Sequence, residues 1–177
     1  MYPKSIQNLI ELFSRFPGIG PRQAARFTFF ILKEKNPFIP ELVSALRELE
    51  ARIGICRDCF STMEREEPDA NLCPLCRDPR RDRLQIAITE KESDMQTMEK
   101  TGAYHGLYHV LGGIISPLDT DSPKRLHIRA LYDRAKKLLE QTAKLEVILA
   151  TSSTTEGDTT ALYIDRVLSP LQKDFSQ

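Results

Sequence analysis

A chain of 177 residues and 20.2 kDa has room for one compact unit, or for a small domain with accessories, which excludes a large multidomain enzyme. Its 41% hydrophobic and 28% charged residues, without a low-complexity tract, lie in the globular range. Lys+Arg and Asp+Glu both number 25, so the overall basic excess common in nucleic-acid binders is missing and only the distribution of charge is informative.

That distribution is uneven. Residues 1–55 carry eight basic against five acidic side chains, residues 56–83 six against seven, and the remainder eleven against thirteen. The neutral total therefore resolves into +3, −1 and −2 along the chain. No stretch approaches the roughly 18 consecutive apolar residues of a membrane span, and residues 1–10 lack a basic n-region followed by a long apolar core. The expectation is a cytoplasmic protein with no membrane association, and in that reducing compartment four cysteines read as metal or redox chemistry.

The first predicted helix follows Ser5, with Ile6, Leu9, Ile10, Phe13 and Phe16 at three- and four-residue steps, and stops at Pro17. A second begins at Pro21 and runs through Ala24, Ala25 and Phe29 towards Asn36. A third, opened by Pro40, sets Leu42, Leu46, Leu49 and Ile53 on one face. Phe16, Phe27, Phe29 and Phe30 fall within these apolar patterns and are expected in the core rather than as base-stacking groups.

From Cys56 to Cys76 periodicity gives way to turn formers, cysteines and charges, the mark of a small metal-organised knuckle with no apolar core of its own. Residues 84–89 (LQIAIT) then predict a strand, 91–101 a helix, and 108–111 a second short strand ending in Gly112-Gly113. After a Pro/Asp-rich loop come a helix at 126–141 and a buried strand at 145–150 (LEVILA). A polar loop, 151–157, leads to an apolar helix at 159–168. Strands alternating with helices imply a parallel sheet covered on both faces.

Cys56-x-x-Cys59 and Cys73-x-x-Cys76, thirteen residues apart, form two tight turns able to meet at one tetrahedral ion. All four thiols are used, so the site is structural, with no position left for a catalytic water. Zinc is expected at one ion per chain; the spacing leaves iron open, and a thioredoxin-like redox pair is the bland alternative.

Phe16-Pro17-Gly18-Ile19-Gly20-Pro21-Arg22 joins two helices by a tight turn. Gly18 and Gly20 free backbone N–H groups to face a phosphate, at the positive end of the following helix. Arg22 and Arg26, four apart, project from one face of that helix. This is the pattern of a helix-hairpin-helix gripping DNA without reading bases, although a plain corner between helices also uses Pro and Gly.

Glu90 follows one predicted strand, and Glu156 with Asp158 follows another, where ligands bind in open α/β sheets. Three such carboxylates suit Mg²⁺. Equally, Asp158 serves as a helix cap and Glu90 as a strand exit. His109 is expected to pack within a strand, His105 to lie in a loop and His127 on a helix surface. Arg129, Asp133, Arg134, Lys136, Lys137 and Glu140 read as a solvated helix face.

Together these pieces resemble the RecR family of bacterial recombination mediators. The match is carried by 16–22 (FPGIGPR), the two Cys-x-x-Cys pairs, 108–113 with 116–119 (YHVLGG and SPLD), and 146–163 (EVILATSSTTEGDTTALY). It implies an α+β multi-part chain: a helix-hairpin-helix over 1–53, a four-cysteine zinc finger over 54–79, and an α/β Toprim domain with a mainly parallel sheet over 80–177. Arg22 and Arg26 match the family's DNA-contacting positions, Glu90 its first Toprim acid, and Glu156 lies in its second acidic loop. The resemblance further implies a non-enzymatic role. Such proteins form rings that admit DNA, and with RecO and RecF they place RecA on single-stranded DNA, the Toprim acids serving partner binding.

The sequence departs from the family pattern in four places. Lys91-Glu92 stands for a small residue and proline, Thr120 for a glycine, and Asp158 for the usual Glu. The chain also stops before the family's final Arg-Gly-Leu-Pro-x-Gly segment, so a C-terminally shortened sheet and weakened ring contacts are expected, whether the assembly is a dimer or a tetrameric ring. The competing function is a Mg²⁺-dependent Toprim nicking or strand-transfer enzyme using Glu90, Glu156 and Asp158.

Overall fold

The computed structural model describes residues 2–34, 37–65, 70–142 and 144–174. Two compact units emerge, Met1–Arg52 and Ile53–Gln177. Among the described residues no helix is long and apolar enough to cross a membrane.

The first unit contains α1 (Lys4–Phe13), α2 (Pro21–Lys33) and α3 (Phe38–Arg52). Half-buried Ile6, Leu9, Ile10 and Phe13 form the inner stripe of α1, and α2 offers buried Ala24 and Thr28, whose hydroxyl donates to the Ala24 carbonyl at 3.0 Å. The predicted end of α2 at Asn36 lies outside the described residues. Helix α3 starts two residues before Pro40, which is tolerated in a first turn where no N–H partner is needed. Ile53 leaves the helix for a strand.

The expected aromatic core of this unit is not found. Phe16, Phe27 and Phe30 are 58%, 46% and 54% exposed, and no residue of α3 is buried. Three helices within 52 residues enclose too little volume to cover every apolar stripe. Of the four phenylalanines expected in that core, Phe29 alone is partly buried, edge-on to Tyr2 at 5.3 Å.

The second unit opens with β1 (Ile53–Ile55) and β2 (Thr62–Glu64), an antiparallel hairpin pairing Gly54 with Met63, followed by α4 (Pro74–Arg77). Then come β3 (Asp82–Thr89), α5 (Glu92–Lys100), β4 (Gly106–Val110), α6 (Ser122–Arg125), α7 (Ile128–Thr142), β5 (Glu146–Ala150) and α8 (Thr155–Asp174). The sheet runs β4-β3-β5, all parallel, as the alternation of strands and helices predicts. β3 is central, and its side chains alternate between two cores. Ile86 and Ile88 join Leu131, Leu138, Ile164 and Leu168 of α7 and α8. Ala87 meets Met95 of α5 and the strand residue Tyr108 on the other face.

Helix α8 is longer than its apolar run. Thr154 accepts the Gly157 N–H at 3.1 Å on its hydroxyl, starting the helix four residues before the predicted 159, and the helix continues through Pro170. Glu156 and Asp158 accordingly sit in its first turn rather than in or after a polar loop. The predicted cap at Asp158 is replaced by one at Thr154.

Candidate metal centre and nucleic-acid interface

The four cysteines are buried and unbridged, with one ligand atom from each lying within 4.8 Å of all the others. Backbone N–H groups already point at the sulfurs: Cys73 donates to Cys56 Sγ at 3.3 Å and Cys76 to Cys73 Sγ at 3.4 Å. Such donors stabilise thiolates. Hydrogen bonds from Cys59, Cys73 and Cys76 push the Cys56 thiol well down, while its bond to Cys56 pushes Cys76 up. Four thiols sharing protons in a dry pocket are the donor set that a soft or borderline cation takes over, and the group can hold a metal ion.

The knuckle is fastened to the sheet. Val110 donates its N–H to the Cys59 carbonyl at 2.8 Å, covering the outer edge of β4. Phe60, at φ 61°, holds its ring stacked on His127 at 4.0 Å and edge-on to His109 at 5.3 Å. His109 is fully buried, as expected of a packing residue, and its Nε2 donates to the His127 carbonyl at 3.0 Å. Burial holds its pKa down to about 3. His127 is a correction to the sequence reading: its ring lies under Phe60, with Nδ1 donating to the Val110 carbonyl at 3.0 Å, instead of on a helix surface.

Glu92, one of the departures from the family pattern, has a partner in the knuckle. Its carboxylate accepts both the N–H of Thr62, at 3.1 Å, and the Thr62 hydroxyl. This strap joins β2 to the first turn of α5, two residues beyond Glu90.

Glu90 directly follows β3 and is only 5% exposed. Its carboxylate accepts the N–H and the hydroxyl of Ser152, both at 2.9 Å. Gly157 makes this approach feasible, because a Cβ there would lie 1.9 Å from the Ser152 carbonyl oxygen. The loop after β5 thus reaches Glu90 through Ser152. Glu156 is partly buried and Asp158 exposed, and among the described residues the four cysteines are the one Cys/His/Asp/Glu group whose ligand atoms converge. The three acids are not brought together in that way.

In the first unit Gly18 takes φ +76°, and the Ile19 N–H closes the turn onto the Phe16 carbonyl at 3.1 Å. Gly20 is extended and begins α2 with no side-chain cap, leaving first-turn amides available to an external acceptor. Arg22 and Arg26 are exposed beside an open groove of about 700 Å³ that also touches Tyr2, Phe29, Phe30 and Lys33. Neither arginine forms an ion pair among the described residues.

A family model described as "RecR, helix-hairpin-helix" matches residues 6–49, and the Toprim domain model matches 85–176. The recombination protein RecR of Cutibacterium acnes is 44% identical over 171 residues, covering 97% of this chain and 81% of that protein. The chain belongs to the RecR family. RecR of Deinococcus radiodurans is 42% identical over 96% of this chain and 72% of its own length, and RecR of Rubrobacter xylanophilus 45% over 92% and 77%. The N-terminal helices are therefore a RecR helix-hairpin-helix, and the parallel sheet belongs to a RecR Toprim domain.

Sequence reasoning singled out the cysteines, the hairpin and Glu90. It missed Ser152, Phe60, Thr62 and Arg134, none of which carries a motif. A serine five residues before a glycine, or a bulky residue after Cys-x-x-Cys, becomes meaningful only when its neighbour is known.

Proposed function

We propose that this protein is a non-enzymatic, DNA-binding mediator of recombinational repair in the bacterial cytoplasm. It grips the phosphate backbone without reading bases and acts with RecO- and RecF-type partners to place RecA on single-stranded DNA. The observation that carries this reading is the start of α2. Among the described residues, nothing beyond the chain neighbours of Gly20 lies within 4 Å of where a Cβ there would stand, and its φ of −82° is open to any residue. The fold does not require glycine there, whereas a phosphate approaching uncapped amides does. Gly18, Arg22 and Arg26 complete the contact.

Each subunit offers few phosphate contacts, so useful affinity requires several copies, as a dimer or tetrameric ring. Region 1–53 holds DNA, 54–79 is stabilised by one structural Zn²⁺, and 80–177 presents Glu156 and Asp158 to a basic partner, with Glu90 buried and held by Ser152.

The test is DNA binding across a salt series. Arg22→Ala with Arg26→Ala is expected to weaken binding and to reduce the salt slope by about 1.4–1.8, the loss of two phosphate contacts. An unchanged slope would place the DNA face elsewhere. Nicking of supercoiled plasmid in Mg²⁺ that is abolished by Glu90→Gln would overturn the non-enzymatic reading.

A further inference from the structure

Arg134 lies on the face of α7 that the sequence marks as solvated, yet it is partly buried and its guanidinium turns inward. Nη1 donates to the Asp58 carbonyl at 2.7 Å and to the Tyr108 carbonyl at 2.6 Å. Nη2 donates to Cys76 Sγ at 3.7 Å. These acceptors belong to three different pieces: the turn between Cys56 and Cys59, the strand β4, and the second cysteine pair.

The Tyr108 carbonyl lies on the outer edge of β4. Residue 111 bonds inward, its N–H donating to the Thr89 carbonyl, and alternate strand residues face opposite sides, so 108 and 110 face outward. Val110 is satisfied there by Cys59, and Tyr108 by Arg134. Four thiolates around a divalent ion carry a net charge of −2 into a buried site, which is costly without a nearby cation. Arg134 brings a permanent positive charge directly to a ligand sulfur, and its planar fork lets it hold the carbonyls as well.

We propose that Arg134 is the positioning residue of the metal centre: it offsets thiolate charge at Cys76 and ties both cysteine pairs to the β4 edge, so that metal occupancy and order along that edge are coupled. This rests on the reading of the four cysteines as a metal site. Such outer contacts orient ligands and tune affinity as the ligands themselves do.

Metal uptake by the wild-type chain is measured first, with Zn²⁺ and Co²⁺; no uptake overturns the metal reading and this inference with it. Given uptake, Arg134→Met is expected to weaken Co²⁺ binding and to hasten its loss to a chelator by about 10–100-fold, with a shifted thiolate-to-cobalt absorption band. Arg134→Lys, keeping charge without the fork, recovers part of that loss. Arg83→Met, on the rim of the same cleft, leaves both unchanged. A merely architectural arginine would lower the melting temperature without moving the band. Wild-type-like Co²⁺ affinity and an unshifted band in Arg134→Met overturn the inference while leaving the metal reading intact. Should that variant not fold, hydrogen exchange of the wild type decides: stripping the metal is expected to speed exchange of the Val110 amide at least about tenfold, and no acceleration overturns the coupling.

Discussion

Ser152 holds the Glu90 carboxylate with two donors, its N–H and its hydroxyl, each at 2.9 Å. The contact joins the end of β3 to the loop before α8, 62 residues apart in sequence. A carboxylate with 5% exposure is expensive to leave unpaired. Ser152→Ala is therefore expected to cost about 1–2 kcal/mol, seen as a melting temperature lower by about 2–8 °C. Gly157→Ala should cost more, because its Cβ would strike the Ser152 backbone. Thermal unfolding checks both, and an unchanged Ser152→Ala midpoint would show that Glu90 finds equal partners elsewhere.

Gly20 separates stability from function. Since its missing Cβ faces open space, Gly20→Ala should leave the melting temperature within about 1 °C, while side-chain bulk at the uncapped amides weakens DNA binding. Gly18→Ala has a different signature, because φ +76° strains any L side chain and lowers stability as well. Equal DNA affinity for wild type and Gly20→Ala would refute the phosphate contact.

Metal removal should loosen the second unit, which carries all four cysteines, more than the first. In the loaded protein the four thiols are expected to resist alkylating reagents, and after chelation they should react. Elemental analysis returning one Zn²⁺ per chain is the accompanying expectation. Four freely reactive thiols in the untreated native protein would contradict a metal-held knuckle.

Acid should weaken the fold through His109. Burial holds its folded pKa at about 3, below the ordinary 6.5, so the unfolded chain binds the extra proton between these values. Its contribution is fully present above pH 6.5 and is lost as pH falls towards 3, at up to about 1.4 kcal/mol per pH unit. Denaturant unfolding from pH 7 to 5 lies above the carboxylate range, and comparison with His109→Gln separates this effect from protonation of the cysteine cluster. His109→Gln should flatten the dependence by about one proton; an equally steep profile would assign it to another group.

Much of the site was legible because its chemistry is local. Two Cys-x-x-Cys turns, Pro-Gly-Ile-Gly and the apolar strand before Glu90 each state their geometry within a few residues. The β1–β2 hairpin, α4 and α6 were not, since elements of three or four residues are too short for any periodicity to show. Arg134 was misjudged for a related reason: a charged residue on an amphipathic helix reads as solvated whatever stands beside that helix. The same blindness hid the exposure of Phe16, Phe27 and Phe30, whose pattern speaks of helical faces and not of what covers them.

The order of helical hairpin, cysteine pairs and sheet, the convergence of the four cysteines and the parallel alternation of strands were determined by the sequence alone, because turn chemistry and side-chain period act over a few residues. Only the tertiary structure decided which distant groups meet. It gave Glu90 to Ser152, Glu92 to Thr62, the ring of Phe60 to His127, and Arg134 to the Cys76 sulfur. Each pairing satisfies a buried or charged group across 30 to 67 residues of chain, where no local rule reaches and only the packing of the sheet against its knuckle selects the partner.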